Sequence, residues 1–229
     1  MKKLISGFVL LSILHFAAFA QSKKNDMQDY QALFDGKTTT GWHTYLKPTA
    51  EAAWKVVDGT LMHTPQTEGE GDLVTDNEYE NFELSVDWNI AKGGNSGIIF
   101  GVHEDTAFHS TYQTGIEMQV LDNINAGDNK KENHLAGSLY DMKAPSQNVV
   151  KPYDEWNTAV IRKQNGHLTF WLNNVKIMET QMGSDEWQTM LNNSKFKNWK
   201  NFGAYAKGHI ALQAHGAEVK FRNIKIKQL

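Results

Sequence analysis

The stretch NFELSVDWNI, residues 81–90, alternates apolar and polar side chains along its length. Its apolar members share one face of an extended chain and its polar members share the other: Leu84, Val86, Trp88 and Ile90 against Glu83, Ser85, Asp87 and Asn89. A strict period of two is typical of a β-strand with one face in a core. The stretch therefore predicts a sheet protein.

Segments of the same kind flank this strand on both sides. They are AAWKVVDGTLMH (52–63), SGIIFGVH (96–103), TGIEMQVLD (114–122), EWNTAVIRK (155–163), HLTFWLN (167–173), VKIMET (175–180), GHIALQAHG (208–216) and VKFRNIKIKQL (219–229). Asp58-Gly59 and Asn173-Asn174 are turn pairs that join neighbouring strands. Many short strands at this spacing predict an all-β, two-sheet antiparallel sandwich. One short helix is expected after Ser184, which can cap its first turn.

The composition excludes several classes of protein. The 229 residues contain no cysteine, so disulfides, thiol catalysis and thiolate metal sites are not available. The formal net charge is −3 at pH 7, whereas a nucleic-acid-binding protein needs a basic stripe. With only two arginines, Arg162 and Arg222, bidentate phosphate clamps are not expected either. We therefore expect a globular protein without a nucleic-acid partner.

The N-terminus has the pattern of an export signal. Lys2 and Lys3 precede an apolar run over 4–19, and Ala18-Phe19-Ala20 fits the small-x-small cleavage rule. The alternative is a membrane anchor, for which the run is short. We predict a signal peptide over 1–20, a flexible leader over 21–28 and one domain over 29–229. The mature protein is then periplasmic or secreted, without stable membrane insertion.

Candidate functional residues lie on the polar faces of two predicted strands. Glu117 and Gln119 share the non-core face of one strand, and Gln213 and His215 share that of another. If the two strands are adjacent, the four side chains face one concave surface. This set of donors and acceptors suits a sugar, and a solvated sheet face is the alternative.

The loops supply further candidates. Gly93-Gly94-Asn95 predicts a tight turn that places Asn95 at the rim of a groove, and His134 lies in a polar loop. The loop that starts at Asp122 is rich in oxygen ligands but lacks the spacing of an EF-hand. The histidines form no metal-ligand pair. We expect neither a metal nor another cofactor.

The aromatic residues divide by their position in the pattern. Trp42, Tyr112 and Trp199 lie in predicted loops, where packing beneath a loop is favoured over stacking on a sugar ring. A second group lies in strand patterns and is expected in the core: Trp54, Trp88, Trp156 and Trp171.

Eight motifs in a fixed order resemble the 3-keto-disaccharide hydrolase family. They are LFDGKTTTGW (33–42), WKVVDGTL (54–61), GDLVTDNEYENFELSVDWNI (71–90), GGNSGIIF (93–100), TGIEMQVLDN (114–123), HLAGSLYDM (134–142), KPYDEWNTAVI (151–161) and GHIALQAHGAEVKFRNIKI (208–226). The resemblance implies a jelly roll of the concanavalin A-like lectin/glucanase type with a concave carbohydrate groove. It also places Glu117, Gln119, Asp122, Gln213 and His215 on positions of the family's motifs.

The resemblance implies a hydrolase that cleaves 3-keto-glycosides or disaccharides. A ketone at C3 acidifies the C2 proton, so a base can remove it, the C1 oxygen leaves by elimination, and water adds back. Glu117 is the candidate base or acid, with His134 or His215 as the second proton carrier. The residues expected to bind substrate are Asn95, Gln119, Asp122, Tyr140 and Gln213.

Two alternatives remain open from the sequence. A conventional glycosidase would use two carboxylates, for which Glu117 with Asp122 or Asp141 could serve. A non-catalytic carbohydrate-binding module could have the same fold, since fold alone does not fix function. Both readings share a carbohydrate as the partner.

Overall fold

The computed structural model describes residues 29–229, and its compact unit spans Ala32–Leu229. The predicted signal peptide over 1–20 and leader over 21–28 lie outside the described residues. None of the helices in residues 29–229 has the length and hydrophobicity of a membrane-spanning segment.

The secondary structure is almost entirely β. The strands are β1 (Gln31–Ala32), β2 (Trp42–Thr44), β3 (Trp54–Val57), β4 (Thr60–His63), β5 (Leu73–Thr75), β6 (Phe82–Ile90), β7 (Asn95–Val102), β8 (Ile116–Leu121), β9 (Asn157–Gln164), β10 (His167–Leu172), β11 (Val175–Gln181), β12 (His209–Leu212) and β13 (Val219–Gln228). The α-helix is α1 (Asp185–Asn192), and two 3₁₀ turns cover Thr111–Gln113 and Glu132–His134.

The strands form two antiparallel sheets. The larger sheet follows the order β11-β10-β9-β6-β13-β4-β3, and the smaller follows β2-β5-β12-β7-β8. Each sheet therefore joins strands that are distant in the chain. This architecture confirms the predicted two-sheet antiparallel sandwich with one short helix.

The predicted local signals form as expected. Asp58 and Gly59 have φ values of 47° and 75°, and Asn173 and Asn174 have 50° and 68°, so both pairs make turns with positive φ at each central residue. Helix α1 begins after Ser184, whose hydroxyl accepts a hydrogen bond from the Trp187 amide at 3.1 Å. That bond satisfies one of the free N–H groups at the helix start.

The core lies between the two sheets and is joined by aromatic rings. Phe100 of the smaller sheet contacts Phe82 and Phe170 of the larger sheet edge-to-face, with ring centroids 6.0 Å apart in both pairs. Such pairs add to the stabilisation that apolar burial provides. Leu84, Trp88 and their apolar neighbours on β6 are buried as the alternation predicts.

The expectations for tryptophan were wrong at three positions. Trp42 is a buried residue of strand β2 rather than a loop residue, and its indole N–H donates to the Leu33 carbonyl at 2.7 Å. Trp156 and Trp171 are half-buried rather than core residues. The Arg222 guanidinium lies 3.8 Å from the Trp156 ring centroid, so this ring packs on the outer face of its sheet.

Candidate functional site

The candidate site lies on the outer face of the smaller sheet. Strand pairing sets Glu117 of β8 opposite Ile99 of β7, and Gln119 opposite Gly97. Gln213 lies just past the end of β12, and its main-chain N–H donates to the Gly97 carbonyl at 2.9 Å. Gly97 thus separates Gln119 from Gln213 along one row of the sheet, and its missing side chain leaves the space that the Glu117 carboxyl occupies.

A pocket of about 280 Å³ opens at this row. Its lining comes from β7, β8, the segment after β12 and three loops: Asn95, Tyr112, Glu117, Gln119, Tyr140, Lys195, Trp199, Gln213 and His215. Six of the eight residues proposed from the sequence are in this set. The two others, His134 and Asp122, lie outside it.

The strand order differs from the expectation in one respect. We expected the strand of Glu117 and Gln119 to neighbour that of Gln213 and His215, but β7 runs between them. Gln213 and His215 also lie beyond β12, which ends at Leu212. The period of two assigned the face correctly, but it carries no information about which strands pair.

Glu117 is the carboxylic acid that lines the pocket. Burial raises the pKa of its carboxyl from 4.5 to about 8; the Lys195 ammonium opposes this rise, whereas Asp72 and Asp128 add to it. The side chain leans over Gly97, because a Cβ at that position would lie 2.2 Å from Glu117 Oε1. Residues 29–229 provide no hydrogen-bond partner for the carboxyl. It is therefore free to exchange a proton with a ligand.

Two amide side chains flank this carboxyl. Gln119 is 1% exposed; its Oε1 accepts from the Val120 amide at 3.1 Å, while its buried Nε2 lacks a partner in the described part of the chain. The main-chain carbonyl of Gln213 accepts a hydrogen bond from the buried Ser96 hydroxyl at 2.7 Å, and this bond fixes the backbone that carries the Gln213 side chain. Since buried donors are normally paired, the free Gln119 amide is suited to a ligand oxygen.

An aromatic wall with a cation closes one side of the pocket. The rings of Tyr112 and Trp199 lie 6.0 Å apart, and the Lys195 ammonium lies 4.3 Å from the ring centroid of Tyr140. Sequence reasoning missed Lys195 and assigned Tyr112 and Trp199 to packing. Tyr112 lies in the 3₁₀ turn Thr111–Gln113, whereas Lys195 and Trp199 lie in the loop after α1. Their contact therefore depends on the tertiary structure.

His134 lies behind the pocket rather than in it. Its Nδ1 is 2.7 Å from an Asp128 oxygen and its Nε2 is 2.8 Å from Asp141 Oδ1, so both ring nitrogens face carboxylates. The Tyr140 hydroxyl donates to the other Asp128 oxygen at 2.9 Å. Burial and this bond raise the Tyr140 pKa. The geometry gives His134 a supporting position beneath the Tyr140 ring.

Asp122 also lies away from the pocket. Its carboxylate accepts from the amides of Gly93 at 2.8 Å, Ile124 at 3.0 Å and Asn125 at 3.2 Å. Although burial alone would raise its pKa, these bonds lower it. Asp122 thus ties the loop after β8 to the turn before Asn95, and its position does not support the expected substrate contact. In the described part of the chain, no cluster of three or more His, Asp or Glu side chains could hold a metal ion.

Asp72 is a half-buried residue next to the site that sequence reasoning missed. Its carboxylate accepts from the Thr111 hydroxyl and, at 2.8 Å, from the Ala214 amide. Burial raises its pKa, against the effect of both bonds. Asp72 therefore holds together the turn that carries Tyr112 and the segment that carries His215. Its place just before β5 carries no local signal that could have found it.

Comparison with known sequences gives two matches over most of the chain. A profile of the 3-keto-alpha-glucoside-1,2-lyase-like domain matches residues 29–227. A relative from Bacteroides thetaiotaomicron, named 3-keto-disaccharide hydrolase, is 34% identical over 231 residues, which cover 89% of this chain and 80% of the relative.

Solved structures share the fold. A proposed glycosyl hydrolase from Parabacteroides distasonis matches with a TM-score of 0.83 at 30% identity, over 90% of this chain and 96% of that one. The carbohydrate-binding module CBM66 from Bacillus subtilis matches with a TM-score of 0.52 at 13% identity, over 82% and 96%. The second likeness concerns the fold alone. The predicted sandwich of the jelly-roll type is confirmed.

Proposed function

Because the chain belongs to the 3-keto-alpha-glucoside-1,2-lyase-like family, we propose that it is a hydrolase of 3-keto-glycosides or 3-keto-disaccharides. The observation that carries the proposal is the Glu117 carboxyl, which lines the pocket and has a pKa raised to about 8. A carboxyl in this state exchanges a proton near neutral pH, as general acid–base catalysis requires.

The chemistry uses Glu117 as the base. Its carboxylate removes the C2 proton of a bound 3-keto sugar, the C–H electron pair forms C2=C3, and the carbonyl oxygen becomes an enolate. The enolate then reforms the ketone, a double bond forms between C1 and C2, and the C1–O bond breaks toward the leaving group. Water adds its oxygen to C1 and a proton to C2, which gives net hydrolysis.

The remaining polar residues of the pocket have separate roles in this scheme. His215 is an exposed residue of the pocket lining and is the candidate that protonates the leaving oxygen, because an imidazole ring can donate a proton. The pocket also holds the groups proposed to bind sugar hydroxyls: Asn95, Gln119, Tyr140 and Gln213. His134 is placed outside this group, since its ring nitrogens face Asp128 and Asp141.

A conventional pair of carboxylates is not supported. Among the residues that line the pocket in the described chain, Glu117 is the single carboxylic acid. Asp122 caps a loop, and Asp141 accepts bonds from His134 and from the Lys195 amide. Neither can therefore act across the sugar from Glu117 as a glycosidase pair requires.

The test is an activity screen of the purified protein on p-nitrophenyl glucosides and on their 3-keto derivatives. We expect release of nitrophenol from the 3-keto compounds and far slower release from the parent glucosides, whose C2 proton is not acidified. Equal rates on both would refute the elimination route. A protein that binds these sugars but turns over none is a carbohydrate-binding module.

We also propose that the protein is exported and cleaved near Gln21. Support comes from Lys2-Lys3, the apolar run over 4–19 and Ala18-Phe19-Ala20. Mass spectrometry of the periplasmic or secreted protein should find a mature N-terminus near Gln21. An intact Met1 on a membrane-bound species would contradict cleavage.

A further inference from the structure

We propose that Lys195 is a catalytic residue whose ammonium group stabilises the enolate oxygen formed at C3 of the substrate. The inference rests on the proposed function and deepens it, because it names the group that receives the negative charge of the intermediate. The inference is based on the position of the Lys195 side chain, which the loop after α1 places in the pocket lining.

The ammonium of Lys195 sits among aromatic rings at the pocket. It lies 4.3 Å from the ring centroid of Tyr140, 5.2 Å from that of Phe196 and 6.0 Å from that of Tyr112. Ring faces attract a cation but leave its N–H groups without acceptors. No residue in 29–229 accepts a hydrogen bond from this ammonium. Its donors are therefore available to a ligand.

The backbone of Lys195 is fixed by the buried network behind the pocket. The Lys195 amide donates to Asp141 Oδ2 at 2.7 Å, and the other Asp141 oxygen contacts His134. His134 in turn contacts Asp128, which accepts from the Tyr140 hydroxyl. One chain of hydrogen bonds thus holds both the lysine backbone and the ring beneath its ammonium. A charged donor that is held in place before the reaction is what electrostatic stabilisation requires.

The charges of the pocket suit the proposed step. The Lys195 ammonium interacts with the Glu117 carboxyl, and both side chains line the same pocket. When Glu117 takes the C2 proton it becomes neutral, and the negative charge moves to O3 of the sugar. Lys195 then pairs with O3 without transferring a proton, so the charge of the pocket is conserved through enolisation.

The variants that test this role are Lys195→Met, which keeps the stem but removes the charge, and Lys195→Arg, which keeps a charge. Lys197→Met, two residues further along the same loop and outside the pocket lining, is the matched control. The measurements are kcat and KM on a 3-keto-glucoside, and the rate of C2–H exchange of 3-keto-glucose in D₂O by NMR. The exchange reports enolisation without breakage of the glycosidic bond.

We expect Lys195→Met to lower kcat by about 10²- to 10³-fold, as loss of one oxyanion donor does. C2 exchange should fall in parallel, KM should change by a few-fold at most, and Lys195→Arg should recover part of both rates. Lys197→Met should behave as the wild type.

Two results would overturn this role. A rise in KM with unchanged kcat would make Lys195 a contact of the bound sugar, and a fall in kcat with full C2 exchange would place its effect at the leaving group. A wild-type protein that neither cleaves nor exchanges 3-keto sugars would instead refute the proposed function itself.

Discussion

Replacing Glu117 by glutamine separates its catalytic role from its structural cost. Gln has nearly the size of the neutral carboxylic acid but cannot accept the C2 proton. We expect turnover of a 3-keto-glucoside to fall by about 10²- to 10⁴-fold, the usual contribution of general acid–base catalysis. If Glu117 is the base, kcat/KM of the wild type should rise with pH and level off above about 8, where the carboxyl is ionised.

The same substitution should change the pH dependence of stability. The folded protein holds the Glu117 proton more tightly than the unfolded chain, because burial raises the pKa from 4.5 to about 8. Its contribution to stability is therefore full below pH 4.5 and is lost as the pH rises through about 8. At about 1.4 kcal/mol for each tenfold change in proton affinity, the loss amounts to about 5 kcal/mol. The Glu117→Gln protein should not lose this stability as the pH rises, because glutamine does not ionise.

The assay combines nitrophenol release with thermal unfolding at pH 5, 7 and 9. The melting temperatures of wild type and variant should nearly agree at pH 5 and diverge at pH 9, with the variant higher. Glu155→Gln, an exposed carboxylate outside the pocket, is the control that should change neither readout. Near-wild-type turnover in Glu117→Gln would refute the assignment of the base, and parallel melting curves at all three pH values would refute the buried ionisation.

Three further substitutions test the walls of the pocket. Gly97→Ala should fold but lose about 10²-fold in kcat. The new Cβ would lie 2.2 Å from Glu117 Oε1 and would displace the carboxyl by about an ångström. Gly127→Ala, whose new Cβ would meet no atom within 4 Å, is the control and should leave kcat unchanged. Trp199→Ala should raise KM by about five-fold with little change in kcat, since an aromatic contact is worth about 1 kcal/mol; a loss confined to kcat in steady-state kinetics would contradict stacking. His134→Ala should lower the free energy of unfolding by about 3 kcal/mol, because it leaves the Asp128 and Asp141 carboxylates without their shared partner. An unchanged midpoint of urea unfolding would show that the contacts of His134 with these two carboxylates have no structural role.

The sequence was informative where structure is local. Asp58-Gly59 and Asn173-Asn174 were recognised because a turn with positive φ needs such residues at adjacent positions. The shared face of Glu117 and Gln119 followed from the period of two alone. The position of these elements in a sandwich followed from the number and spacing of similar strands.

The rest depended on contacts between distant parts of the chain. The insertion of β7 between β8 and β12 is a matter of strand order, which alternation does not encode. Lys195 and Trp199 reach the pocket through a loop whose course is set by Asp141 and by the stacked rings of Phe196 and Phe202, 3.9 Å apart. An isolated lysine in a loop resembles any solvated surface residue. Only the packed structure distinguishes it.

The position of β13 has a consequence for the order of folding. This strand, Val219–Gln228, lies between β6 and β4, so the β3–β4 hairpin joins the rest of the larger sheet through it. A ribosome releases β13 after every other strand, and until then β4 and β6 have no partner along the edges that face β13. Pairing over such long sequence separations is slow. Assembly of the larger sheet therefore waits for β13, because the β3–β4 hairpin and β6 can join only after this strand has left the ribosome.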